Sequence, residues 1–198
     1  MLSFLAIVLS YLVGSISFSV LYGKLIKGVD VRNHGSGNAG ATNTLRVLGI
    51  GPAITALTLD LLKGMGSVYL ARSLSPEEWL PVVCGIAAII GHNWPIWFRF
   101  KGGKGIATAI GVLSVLVFWP AFWAGVIAIL SIVFTRYVSL GSLLFAVLTP
   151  IFIIFIDFNW ITFAGTVLIS IFAIIRHRSN IVKIINGTEN KIGTKKGV

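Results

Sequence analysis

The chain has 198 residues, 56 % of them hydrophobic and only 11 % charged, with a mean hydropathy of +0.94 and a formal net charge of +10. So little polar surface cannot cover a water-soluble globule of this size, which places the chain in a membrane. The lone cysteine, Cys84, lies in an apolar run; it excludes an intrachain disulfide and a thiolate metal cluster and reads as a small buried hydrophobe.

Apolar runs of spanning length follow one another along the chain, at Leu2 to Tyr22, Ile50 to Ala71, Trp79 to Phe98, Ile106 to Trp119, Ala121 to Phe134, Val138 to Ile156 and Trp160 to Ile175. A helix crosses a bilayer with about 20 apolar residues. The fourth and fifth runs are short and are divided only by Pro120, so they read as two helices turning at Trp119-Pro120. The expectation is an all-α integral membrane protein, a compact bundle of about seven transmembrane helices forming one polytopic domain over residues 1–198. The first run has no basic residues before it, the reverse of a cleavable secretory signal, so it is expected to stay as a helix.

The cations set the orientation. Lys24, Lys27, Arg32, Arg46, Arg99, Lys101, Lys104, Arg136, Arg176, Arg178, Lys183, Lys191, Lys195 and Lys196 all fall on one side of this map, fourteen of sixteen. The opposite loops hold Arg72 against Glu77, Glu78 and Asp157. The positive-inside rule then puts the N-terminus outside and the C-terminus in the cytoplasm, and turns every glycine-rich basic loop to the cytosol.

Three polar stretches interrupt the apolar pattern. In RNHGSGNAGATNTLRVLG, Arg32 to Gly49, the residues Gly35, Gly37 and Gly40 spell GxGxxG, but a dinucleotide fold needs a preceding strand and the neighbourhood here is transmembrane. It is no Walker loop either, because Ala41-Thr42 follow where lysine is required. What remains is a flexible loop whose amides can converge on an anion, with Ser36, Asn38, Thr42 and Asn43 as further donors and Arg46 as a guanidinium fork. That suits phosphate.

The second stretch, Lys101-Gly102-Gly103-Lys104-Gly105, ends where the fourth run begins. A helix start offers unpaired N–H groups and a partial positive charge, and Lys104 sits beside it, so the pair makes an anion seat. The third, IIRHRSNIVKIINGTENKIG from Ile174 to Gly193, places Ile181, Ile184 and Ile185 in a short apolar stripe beside Lys183, as expected of an interfacial segment, with His177, Ser179 and Asn180 capping its membrane end.

Inside the spans, Asp60 and Lys63 are three apart on one helical face and are expected to pair with each other or with a neighbouring helix. His92 and Asn93 end the third run, and Ser142 either lines the anion site or packs helices together. Arg46, Lys104 and His177 with hydroxyl, amide and glycine donors, and scarcely an acid beside them, describe a site for a doubly charged phosphate. No inward pair of carboxylates and no HExxH is present, which argues against a metal-dependent hydrolase; no histidine is followed by the aspartate of an H-x4-D acyltransferase dyad.

The three stretches resemble the signature motifs of the bacterial acyl-phosphate:glycerol-3-phosphate acyltransferases, the PlsY-type family. HGSGNAGATN with Arg46, GHNWPIWFRFKGGKGIAT, RHRSNI through GTENKIG, and DLLKG at Asp60 to Gly64 stand in the family's order and spacing over nearly the whole chain. GSIS at Gly14 to Ser17 departs from it, since the family usually has proline in the last position. The resemblance implies transfer of an acyl group from acyl phosphate to the sn-1 hydroxyl of glycerol 3-phosphate in the bacterial inner membrane, with the active site on the cytoplasmic side. It implies no cofactor, no metal and no nucleic-acid partner; membrane lipid surrounds the protein. By matching positions it assigns Ser36, Arg46, Ser142, His177 and Asn180, with the loop amides of Gly35, Gly37 and Gly40, to glycerol 3-phosphate. Lys104 with Gly102, Gly103 and Gly105 falls to the acyl phosphate and its developing oxyanion; Lys104, His177 and Asn180 are the expected catalytic residues, with a substrate phosphate, or else His177, taking the hydroxyl proton. An anion channel or lipid-phosphate flippase is the alternative, but it needs a polar path, and polar residues near the outer side are few.

Overall fold

Among the described residues, 1–193 of this computed structural model, every regular element is helical. Lys195 and Lys196, counted above among the one-sided cations, lie outside the described residues. The helices are α1 Leu2–Gly14, α2 Phe18–Lys27, α3 Ala41–Leu48, α4 Ile50–Leu74, α5 Trp79–Asn93, α6 Ile106–Leu116, α7 Phe118–Thr135, α8 Val138–Ile156, α9 Trp160–Arg176 and α10 Arg178–Ile185. They fall into two compact units, Met1–Leu116 and the chain from Val117 on. Four segments are long and apolar enough to cross a membrane: Leu2–Lys27, Trp79–Phe98, Phe118–Thr135 and Val138–Ile156. A fifth is added if α9 and α10, bent by 62°, count as one.

Two breaks differ from the expected runs. The first run is divided at Ser15–Ser17 into α1 and α2. The break between the fourth and fifth runs falls at Val117, with Trp119 and Pro120 inside the first turn of α7. A first helical turn leaves its N–H groups without intrahelical partners, so proline removes nothing there and its fixed φ favours the helix.

In the first unit α5 packs on α1 and α4, and α4 on α6. Small residues set how closely. A Cβ on Gly14 would strike the Ala88 carbonyl, and one on Gly91 would strike the Tyr11 carbonyl, so α1 and α5 meet backbone to backbone at two levels. Gly64 against Thr108 and Gly111 against Leu61 repeat the arrangement between α4 and α6. In lipid, apolar burial drives helices together only weakly, and association rests on such close van der Waals contact.

One apolar cluster lies under the polar loops. Val20 of α2, Val31 and Ala39 are fully buried, and Val47, Leu48 and Phe98 pack against them. Arg32 clasps the same region from above. Its guanidinium is paired with Asp30 at 2.6 Å, lies over the Phe98 ring, and donates to the carbonyls of Phe98 (2.9 Å) and Lys101 (3.0 Å). The Arg32 hydrogen bond holds the Asp30 carboxyl below its usual range, opposed by partial burial.

In the second unit α8 packs between α7 and α9. Pro150 inside α8 has no N–H for the Ala146 carbonyl four residues back, and the Ser170 hydroxyl of α9 takes that carbonyl instead.

Replacing Gly64 by alanine should lower thermal stability in detergent by about 1–3 kcal/mol, because the new methyl lands on the Thr108 backbone. Gly66→Ala, two residues on and facing open space, should be neutral or stabilising by up to about 1 kcal/mol; equal effects of the two changes would contradict the backbone contact. The carboxyl of Asp30 ionises more readily folded than unfolded, so its contribution is present above the unfolded value of about 3.9 and fades as pH falls through the folded one. Wild type should therefore exceed Asp30→Asn in melting temperature at neutral pH by an amount equivalent to less than about 1 kcal/mol, and lose that margin in acid.

Candidate functional site

The first polar loop is shaped by one buried side chain. Asn43, 1 % exposed, donates to the carbonyls of Val31 (2.7 Å) and His34 (3.1 Å) and accepts from the Ser36 N–H (2.7 Å). Gly35 has φ +63° and lies directly on the Asn43 amide oxygen, so both its backbone angle and the contact demand glycine. Asn43 therefore organises the loop, both of its amide hydrogens being taken by backbone carbonyls. Ser36, Gly35 and Gly37 remain exposed, with Asn38 and Gly40 half-buried. On α3, Thr42 and Arg46 stand one turn apart on one face, with Arg46 exposed.

The second loop wraps the C-terminal end of α5. The Gly103 N–H donates to the His92 carbonyl at 3.1 Å. A Cβ on Gly102 would strike that same carbonyl, and one on Gly103 would strike His92 Nε2 and the Ala39 carbonyl of the first loop. The two loops thus touch at Ala39 and Gly103, and Arg32 bonds across them. The Gly103 amide is engaged in this docking, which brings the loop onto the end of α5. Lys104 follows, half-buried. After Gly105 at φ +79°, the Ala109 N–H bonds the Gly105 carbonyl and starts α6. The N–H groups of Ile106, Ala107 and Thr108 therefore open the helix without intrahelical partners beside Lys104.

Beneath this loop lies a charged cluster. Lys63 Nζ is 2.7 Å from Asp60 Oδ1, 2.8 Å from the Ile16 carbonyl and 3.1 Å from His92 Nδ1, all three side chains being buried. The expected pairing of Asp60 with Lys63 is present, and His92 joins it.

The third stretch belongs to the second unit. His177, 2 % exposed, ends α9 and precedes α10, and its Nδ1 donates to the Ala173 carbonyl at 2.8 Å. The Asn180 N–H bonds the His177 carbonyl at 2.8 Å. Glu189 draws the rest together: its Oε1 accepts from Asn180 (2.8 Å) and from Ser139 of α8 (3.0 Å). Ser142, one turn after Ser139 on the same face, bonds its hydroxyl to the Val138 carbonyl. One carboxylate thus ties Ser139 of α8 to Asn180 of α10, while Ser142 and His177 are held by carbonyls of their own helices.

Three organising residues escaped the sequence reading: Arg32, His92 and Glu189. Glu189 stands in the stretch GTENKIG that carries the resemblance, and His92 in the stretch GHNWPIWFRF. Arg32 had only its cation as a signal.

The family model described as glycerol-3-phosphate acyltransferase matches residues 4–187. A glycerol-3-phosphate acyltransferase of Halalkalibacterium halodurans is 55 % identical, covering 98 % of each chain, and one of Shouchella clausii is 56 % identical over 96 % of this chain and 95 % of its own. The crystal structure of PlsY (YgiH), an integral membrane glycerol 3-phosphate acyltransferase, in its glycerol 3-phosphate form superposes with a TM-score of 0.92 at 36 % identity, over 97 % of this chain and 96 % of that one. Its lysophosphatidic acid form gives 0.89 at 35 %, with the same coverage. The chain belongs to the glycerol-3-phosphate acyltransferase family, and it is a multi-pass membrane protein.

Proposed function

We propose that this enzyme acylates the sn-1 hydroxyl of glycerol 3-phosphate from acyl phosphate, yielding lysophosphatidic acid and inorganic phosphate, in the first acylation of phospholipid synthesis. It does so as a single polytopic domain of about seven transmembrane helices in a bacterial inner membrane, with the N-terminus outside and the reacting groups at the cytoplasmic face. The observation that carries this reading is the docking of one glycine-rich basic loop on the other at Ala39 and Gly103, beside the opening turn of α6. Two acyltransferase relatives at 55 % and 56 % identity support the acceptor, and the one-sided cations support the orientation.

Lys104 and the opening amides of α6 receive the acyl phosphate and the oxyanion that develops on its carbonyl. Gly102, Gly103 and Gly105 give that segment its close approach. Ser36, Arg46, Ser142, His177 and Asn180 hold glycerol 3-phosphate, while Gly35, Gly37, Asn38, Gly40 and Thr42 shape or line the first loop. The sn-1 oxygen adds to the acyl carbon, and the bond to the phosphate oxygen breaks. Phosphate is already a good leaving group, so positioning and charge stabilisation carry most of the rate. The hydroxyl proton passes to a substrate phosphate. His177, with Nδ1 engaged by Ala173, turns Nε2 to the acceptor and binds it.

Purified protein should release phosphate only when acyl phosphate and glycerol 3-phosphate are both supplied; release from acyl phosphate alone would make it a phosphatase. Lys104→Ala should lose nearly all turnover, by a hundredfold or more on the scale of about 10²–10³ for an oxyanion donor, with an unchanged melting temperature. Near-normal activity would remove Lys104 from the site. His177→Ala should raise KM for glycerol 3-phosphate more than it lowers kcat, whereas a collapse of kcat alone would make it the base.

A further inference from the structure

The buried cluster under the second loop has more order than charge neutralisation requires. The Lys63 ammonium has three polar neighbours: it is ion-paired with Asp60 Oδ1 and hydrogen-bonded to the Ile16 carbonyl, left over at the break between α1 and α2, and to His92 Nδ1. The Phe18 ring closes the remaining side at 5.6 Å. Asp60 lies 2.7 Å from Lys63 but 3.5 Å from His92 Nδ1, so the close ion pair assigns the positive charge to Lys63 rather than to the imidazole. His92 Nδ1 is then an acceptor. A neutral imidazole that accepts at Nδ1 carries its proton on Nε2.

Nε2 is the atom against Gly103, at the seam where the Ala39 carbonyl of the first loop also arrives. His92 meets this residue twice, because its own carbonyl accepts the Gly103 N–H. Residue 103 is thus held by the backbone and the ring of one histidine, directly before Lys104. Burying a lysine and an aspartate within helices is costly, and apolar residues of similar volume are often as stable. An ion pair kept at such a place is accounted for by what it specifies.

We propose that Asp60 and Lys63 fix His92 in its Nε2–H tautomer, and that the ring so fixed is the positioning residue of the Gly102–Gly103–Lys104 loop. The link to turnover rests on the acyl-transfer reading above; the tautomer does not. The effect is to make the placement of Lys104 depend on two charged residues of α4 that lie below the loop.

The test uses full-length protein labelled with ¹⁵N-histidine in detergent. Its three histidines, His34, His92 and His177, are assigned by the signal lost in His92→Gln. Long-range ¹H–¹⁵N spectra should show the His92 ring protonated on Nε2 alone near neutral pH. A proton on Nδ1, or on both nitrogens, overturns the proposal whatever the activity. In Lys63→Met the nearest polar partner of Nδ1 becomes Asp60, and the ring proton should move to Nδ1 or a second proton should be gained; an unchanged Nε2–H ring would show that Lys63 does not set it. For turnover, a displacement of about 1 Å can cost about a hundredfold, so His92→Ala should lower kcat by that order with little change in KM for glycerol 3-phosphate. His92→Gln, whose amide N–H reaches the position of Nε2, should recover most of it. If Gln and Ala variants melting like wild type were equally slow, the ring would not position the loop. Wild type lacking acyl transfer, with His92 still an Nε2–H ring, would instead defeat the functional reading alone.

Discussion

The end of α5 is where the first unit's polar loops acquire their shape, and the constraint there is one of space. At a helix C-terminus the last carbonyls have no intrahelical partner, and near a bilayer they cannot all turn to water. The His92 carbonyl is taken by the Gly103 N–H, which brings the second loop so close that neither Gly102 nor Gly103 has room for a side chain. The first loop then settles against the same residue through Ala39. Lys104 and the opening turn of α6 follow directly in the chain, so the hydrogen bond that closes one helix sets where the next begins.

Several carbonyls of the first unit are taken by cations. Arg32 takes those of Phe98 and Lys101, Lys63 takes that of Ile16, and Lys27 reaches that of Val47. A count of positive residues does not distinguish such structural cations from ones that meet an anionic substrate, and the division matters for chemistry. Arg46, exposed on α3, stands in contrast to the engaged Arg32. The second unit reverses the signs: there a single acid, Glu189, gathers Ser139 and Asn180. An acid placed among donors competes with an anionic ligand for them. Its use is to hold the donors' positions, and Oε2 remains without a hydrogen bond among the described residues.

Glycine does two unlike jobs in this chain. Along α1, α4, α5 and α6 it is absence of volume, permitting helix backbones to touch where lipid offers little apolar driving force. In the loops it is also freedom of angle, as at Gly35 and Gly105. The same letter in the sequence therefore marks a packing surface in DLLKG and a turn in HGSG.

Composition and hydropathy were enough to determine a helical membrane protein, because some twenty consecutive apolar residues have few other stable settings. The motifs were enough to determine the family and the residues around which a phosphate site is expected, since glycines and cations at fixed spacing are local information. The break between the fourth and fifth runs was legible to within a few residues, Pro120 misplacing it because proline suits a first turn as well as a boundary, whereas the break at Ser15–Ser17 inside the first run was not. What only the tertiary structure decided was who partners whom. Asn43 and the Gly103 amide have the chemistry of ligand donors, yet they are consumed by Val31, His34, Ser36 and His92, residues 7 to 12 positions away in the chain. Hydrogen-bond capacity is a property of a residue type, but whether it is already used depends on neighbours that folding supplies, as when Lys63, beyond its expected partner Asp60, meets His92 of α5 and the Ile16 carbonyl.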